Sequence, residues 1–152
     1  MKRIGIIIVC HNDEKNIDKD KFIKHLNKTK YLDLCFVNNA SRDTTYQVLK
    51  DIKEMSKTNV SIVDIKKFKS DISAVRSGAR FMFSQFDLKH IGYVSTNLLN
   101  NKKHSISGVI KHIRENQDVI LNYNNKLKEK SSIKKTLFQS VFSITDYLEK
   151  IN

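Results

Sequence analysis

The sequence predicts an α/β protein: a three-layer sandwich with a mostly parallel central sheet and helices on both faces. Three observations predict it. Short, continuous apolar runs recur along the chain, as expected of strands buried on both faces. Between them lie segments whose apolar residues recur at helical spacing. The connections are short, and strand–helix alternation with short connections specifies a parallel sheet.

The elements follow in order. Ile4–Cys10 is a continuous apolar run and the first strand. Residues 18–29 predict a helix with Phe22, Ile23 and Leu26 on one side. Residues 32–37 form a second buried strand. Ser41 or Asp43 can cap a helix running to Met55, with Val48, Leu49, Ile52 and Met55 facing inward. Residues 60–65 are a third strand. Residues 71–86 predict a helix in which Ile72, Val75, Ala79, Met82, Phe83 and Phe86 make one stripe. A fourth strand covers 90–94, a helix 107–116 and a short strand 118–121. From Ser131 to the end the pattern is helical, with Ile133, Leu137, Val141, Ile144, Leu148 and Ile151 on one face. The expected organisation is a core over 1–125 and a basic segment with an amphipathic helix over 126–152, together one domain.

Composition narrows the class. With 39% hydrophobic and 29% charged residues the chain reads as a soluble globular protein. Nothing resembles a signal peptide or a membrane span. Cys10 and Cys35 both fall in strands and read as buried, reduced thiols, so a cytoplasmic protein is expected. The net charge of +12 marks either an anionic partner or a lysine-rich solvated surface. Nucleic acid is not expected as that partner, because aromatic and basic residues do not interleave. The last helix, behind the basic stretch 126–135, could lie on an anionic membrane, form a homodimer or companion-protein interface, or pack on its own sheet.

In open α/β sheets, ligands bind beyond the carboxyl ends of the strands. Three strands here end in polar residues: Cys10-His11-Asn12-Asp13-Glu14, then Asn38-Asn39-Ala40-Ser41-Arg42-Asp43, then Ser95-Thr96-Asn97. There is no Gly-x-Gly-x-x-Gly, no P-loop, no zinc-ligand spacing and no Gly-x-Ser-x-Gly.

These tips resemble those of the family 2 glycosyltransferases, which have the Rossmann-like GT-A fold. Ile6-Ile-Ile-Val-Cys-His-Asn-Asp-Glu-Lys-Asn-Ile17 is similar to the family's opening strand and its Asn-Glu-Glu-like turn. Val37-Asn-Asn-Ala-Ser-Arg-Asp-Thr-Thr45 is similar to Val-Asp-Asp-Gly-Ser-x-Asp-Gly-Thr. Ser73-Ala-Val-Arg-Ser-Gly-Ala79 resembles Ala-Ala-Arg-Asn-x-Gly-Ala, and Gly92-Tyr-Val-Ser-Thr-Asn-Leu98 aligns with the strand leading into Asp-x-Asp. The resemblance covers residues 4–121. It implies a nucleotide-diphosphate sugar as ligand, of the uridine type, with inverting transfer to an acceptor. It places His11, Asn12, Asn38 and Asn39 at the nucleotide base and Arg76 near the nucleotide. Ser95 and Asn97 fall at the sugar-diphosphate site.

Two departures bear on activity. The family's Mg²⁺ or Mn²⁺ needs hard, charged oxygens, whereas Ser95 and Asn97 offer neutral ones. Metal dependence is therefore expected to be weak or lost, with Arg76, Lys102 and Lys103 as candidate cations for the diphosphate. No acid after Asn97 lies in a recognisable catalytic-base motif, and the acceptor half looks missing. Two readings stay open: a small glycosyltransferase, and a non-catalytic relative that binds a nucleotide or a protein. Plainer roles stand beside each residue. His11 could be an ordinary strand-end histidine, and Asn38 and Asn39 could be turn formers. Arg76 could be a partner of Asp71 or Asp43, and 95–97 a plain loop.

Overall fold

The computed structural model describes residues 3–88, 90–99, 105–122 and 141–146. Its elements run β1 (Ile4–Cys10), α1 (Lys19–Asn27), β2 (Leu32–Asn39), α2 (Thr45–Met55), β3 (Asn59–Ile65), α3 (Asp71–Gln85), β4 (Ile91–Ser95), α4 (Thr96–Leu99), α5 (Ile106–Glu115) and β5 (Val141–Ser143). The five strands form one sheet in the order β3-β2-β1-β4-β5, and every pairing is parallel. The chain winds outward from β1 to β3, then returns to place β4 on the other side of β1. That reversal makes the gap between the β1 and β4 tips a topological switch point.

The apolar runs separate into two packing faces because successive side chains on a strand point to opposite sides. Ile4, Ile6, Ile8 and Cys10 of β1 pack with Phe22 and Leu26 of α1, Leu49 and Ile52 of α2, and Val109, Ile110 and Ile113 of α5. Ile7 and Val9, with Cys35 and Val37 of β2, pack with Ala74, Val75, Ala79 and Met82 of α3. Both cysteines are free and buried. Burial pushes the Cys35 thiol up to about 12 and the Cys10 thiol well above its ordinary range, so neither is a reactive thiolate.

Side-chain caps fix three helix starts. Asp18 accepts from the Lys21 amide, Ser70 from the Ser73 amide, and Ser105 from the Gly108 amide. α3 lies close on the sheet at Gly78. A Cβ there would sit 2.8 Å from Cγ2 of Val37 and 3.0 Å from Cγ2 of Ile7. The glycine of the Ser73–Ala79 motif is thus a contact requirement between helix and sheet.

Several expectations are corrected. Residues 117–122 are helical, and the Ile120 amide donates to the Asn116 carbonyl as a helix requires. An apolar run of four fits a strand or a helix turn equally; here Ile120 and Leu121 are buried while Val119 is exposed. Ile72 and Met55, both 57% exposed, point away from the core, since the sheet-facing stripes run through Ala74, Gly78 and Met82 and through Leu49 and Ile52. Val141 belongs to a strand rather than to a long helix. β5 pairs with β4, matching Ile91 with Val141 and Gly92 with Phe142. Phe142 on β5 and Ile144 in the helical turn that follows it are both buried, and the missing side chain of Gly92 makes room for Ile144. The rest of the predicted tail, including the basic stretch and its membrane, dimer or companion-protein roles, lies outside the described residues. No helix among the described residues is long and apolar enough to cross a membrane.

The close approach at Gly78 generates a test. Gly78→Val should lower unfolding stability by about 1–3 kcal/mol through overpacking against β1 and β2, read from urea denaturation.

Candidate functional site

The tips of β1 and β4 and the start of α2 are joined through one residue, Asp13. Asp13, 1% exposed, accepts from the His11 amide at 2.8 Å, from the Thr96 hydroxyl, and from Asn16 Nδ2 at 3.0 Å. Its own amide donates to Thr45 Oγ1 at 2.7 Å. The Thr45 hydroxyl in turn donates to Asp43, which also accepts the Thr45 amide at 2.9 Å. Burial pushes the Asp43 carboxyl upward, but the bonds from Thr45 and from the Glu14 amide outweigh it and hold it below the usual carboxylate range. A buried charge needs such a set of donors.

A second set of bonds zips the β1 and β2 loops together. The Asn12 amide donates to Ser41 Oγ, and Asn12 Oδ1 accepts the Arg42 amide at 2.7 Å. Asn12 and Ala40 both have positive φ, 52° and 50°. Asparagine tolerates that region; alanine is strained there by about 1–2 kcal/mol. Ala40 is held by its amide, which donates to the Asn38 and Ile65 carbonyls.

Next to these loops, beyond β1, β2 and β3, opens a cavity of about 900 Å³. Its polar side is Asn38 and Asp64, register partners on neighbouring strands. Asn38 Nδ2 donates to Asp64 at 2.9 Å, and Lys66 Nζ pairs with the other carboxylate oxygen at 2.5 Å. Burial pushes the Asp64 carboxyl up, but Lys66 and Asn38 together hold it below its ordinary value. Asn38 Oδ1, by contrast, is buried and accepts no hydrogen bond among the described residues. Aromatic rings edge the cavity: His11, Tyr46 and Phe68. His11 meets Phe68 edge-on with centroids 4.7 Å apart. His11 Nδ1 donates to the Asn39 carbonyl at 2.6 Å, which leaves Nε2 to accept from Asn12 Nδ2. Three cations, Arg42, Lys66 and Lys67, also line it. Flat rings, a hydrogen-bonding floor and cations suit a planar ligand that carries negative charge.

The candidate residues divide accordingly. His11, Asn12 and Asn38 line the cavity. Asn39 does not: it is buried, and its amide group both donates to and accepts from the Lys69 backbone, so it anchors the loop that carries Phe68. Arg76 is exposed on α3 and is not among the lining residues. Ser95 and Asn97 sit at the β4 tip, outside the cavity wall. Ser95 Oγ donates to Asn97 Oδ1 at 2.6 Å, and Asn97 Nδ2 donates to Asp71 at 2.8 Å. These oxygens are neutral and already bonded to each other, with the Asp71 carboxylate beside them. They do not fit the charged oxygen set that Mg²⁺ or Mn²⁺ requires. Among the described residues no group of three His, Cys, Asp or Glu could hold a metal ion. Lys102 and Lys103 lie outside the described residues.

The β3 tip was the part that sequence reasoning missed. Asp64, Lys66, Lys67 and Phe68 form a polar, basic and aromatic strand end like the other three. Treating the third strand on the same terms would have found it. Tyr46 and Arg42 carried no signal of their own.

No family model matches the chain. An uncharacterized protein of Methanocaldococcus jannaschii is 31% identical over 88 residues, 58% of this chain. The chain spans 37% of that relative's length. Among solved structures, TarS residues 1–349 of S. aureus in complex with UDP is similar at a TM-score of 0.49 and 15% identity, over 61% of this chain and 27% of that one. The mannosyltransferase PcManGT of Pyrobaculum calidifontis, in complex with GDP-Man and Mn²⁺, is similar at 0.46 and 18% identity, over 53% and 24%. At these identities no residue role is carried over.

The Asp13 junction is testable. Thr96→Val removes one of the three donors to a buried carboxylate while keeping the shape. It should cost about 1–3 kcal/mol in denaturant unfolding.

Proposed function

We propose that this chain binds a nucleoside-diphosphate sugar, of the uridine type, in the cavity beyond β1, β2 and β3, as a glycosyltransferase-like protein. One observation carries the reading. A cavity at the carboxyl ends of parallel strands combines aromatic edges, an amide floor and three cations. The resemblance of the strand tips to the family 2 glycosyltransferases supports the same ligand class. The base lies against His11 and Asn38, between the aromatic edges. The diphosphate is neutralised by Arg42, Lys66 and Lys67, and divalent metal plays no part in holding it. Transfer of the sugar to an acceptor is the enzymatic form of this reading.

A second reading is a non-catalytic relative that binds the nucleotide alone. The bonds among Ser95, Asn97 and Asp71 favour it, because the strand tip where the family's Asp-x-Asp would act is occupied with its own hydrogen bonds.

Calorimetric titration with a uridine-diphosphate sugar, with and without Mn²⁺, tests the proposal. Binding should be the same in both conditions, within about twofold. The double variant Arg42→Ala, Lys67→Ala should weaken uridine diphosphate by about tenfold and leave uridine unchanged, as expected when phosphate charge is what the cations read. Binding that appears only with Mn²⁺ would contradict the proposal. Sugar release or transfer in the same samples selects the enzymatic form.

A further inference from the structure

We propose that the loop between β3 and α3 docks the protein on an anionic membrane surface, with Phe68 and Ile72 entering the bilayer and Lys67 and Lys69 meeting its headgroups. The proposal does not rest on the nucleotide reading: Lys69 and Ile72 are not among the cavity's lining residues, although Lys67 and Phe68 are. Every residue from Lys66 to Ser70 is exposed. Phe68 is 60% exposed, and Ile72, in the first turn of α3, is 57% exposed. Single exposed apolar residues are ordinary. Here two of them project from one short stretch, and that stretch is held in place. The Asn39 side chain grips the Lys69 backbone with two bonds, at 2.8 and 3.0 Å. Ser70 caps α3, and the His11 ring meets Phe68 edge-on. A phenyl ring fixed in water loses freedom with no burial in return, whereas the same ring is preorganised for an apolar partner.

Charge and form select the partner. Lys67, Lys69 and, from the β2 loop, Arg42 have no carboxylate partner among the described residues. The nearby acids are already engaged: Asp64 is matched by Lys66, and Asp71 is half-buried and accepts from Asn97. The stretch therefore presents positive charge to whatever meets it, which favours an anionic surface. Its apolar part is two projecting side chains flanked by lysines. A rigid protein partner would need a matching socket for each. A bilayer needs none, because it takes in single apolar side chains at headgroup level while lysine ammonium groups stay with the lipid phosphates.

A net charge of +12 would draw the chain to any anionic surface in no fixed orientation, so the test must read which face docks. The chain has no tryptophan, and Phe68→Trp therefore reports from this loop alone. Val119→Trp is the control. Val119 is exposed on the helical stretch whose Gln117 donates to the Lys30 carbonyl, just before β2 begins and so at the opposite end of the sheet. With vesicles of equimolar phosphatidylcholine and phosphatidylglycerol, the Phe68→Trp emission should shift to the blue and the Val119→Trp emission should not. Wild type should bind these vesicles at least about tenfold more tightly than phosphatidylcholine alone. The double variant Lys69→Glu, Ile72→Ser should weaken vesicle binding about tenfold and leave the calorimetric titration with uridine diphosphate unchanged. Equal shifts at both tryptophans, a shift at neither, or a double variant that binds vesicles like wild type would overturn the docking loop and leave net charge as the cause. Absence of vesicle binding would also overturn it. The same blue shift of Phe68→Trp on adding polyglutamate without lipid would make an acidic protein the partner and overturn the membrane. None of these outcomes touches the nucleotide reading, which is decided by the titration alone.

Discussion

Asp13 ties together elements far apart in the chain. Its carboxylate holds the β1 tip through the His11 amide and the β4 tip through Thr96, and its backbone amide holds the start of α2 through Thr45. Those elements meet at the switch point, where two strand tips diverge and backbone groups would otherwise lose their partners. A polar side chain this deep needs hydrogen-bond partners, and donors from several elements converge on it. The position of His11, and with it the aromatic edge of the cavity, follows from that junction.

The two sides of the strand-tip surface are chemically unlike. On the β4 side the polar groups satisfy each other: Ser95 bonds Asn97, Asn97 bonds Asp71, and Thr96 bonds Asp13. On the β3 side Asp64 is met by Lys66 and Asn38, while Arg42, Lys67, Tyr46 and Phe68 line open space. A self-satisfied surface has little to offer a ligand, whereas an unpaired buried acceptor and several cations do. Under the proposed reading, part of the chain's excess positive charge acts on an anion in this cavity.

The layered fold was legible because it rests on local signals. Continuous runs such as Ile4–Cys10 mark strands covered on both faces, and Leu49 and Ile52 repeat at helical spacing toward the sheet. The failures also have physical causes. Residues 118–121 are too few for periodicity to separate strand from helix. Val141 fits a helical stripe as well as it fits a strand, and only the open edge of β4 decides between them, whereas Ile144 does lie in a helical turn. At the site, His11, Asn12 and Asn38 could be singled out because they follow apolar strands. The pairing of Asn38 with Asp64, 26 residues away, could not, because register between strands is written in no local pattern. Asn39 shows the converse: a residue type that suits a ligand is used to anchor the Lys69 backbone.

The central claim is that the outward-facing chemistry gathers at β1, β2 and β3, away from the switch-point side. Amide chemical-shift mapping by NMR, with uridine diphosphate added to the labelled protein, reads this directly. The account predicts the largest shifts at His11, Asn38, Ala40, Lys67 and Phe68, including the Asn38 side-chain amide, with α1 and α5 unmoved. Shifts centred on Ser95, Asn97 and Asp71 with the β3 tip silent would contradict it.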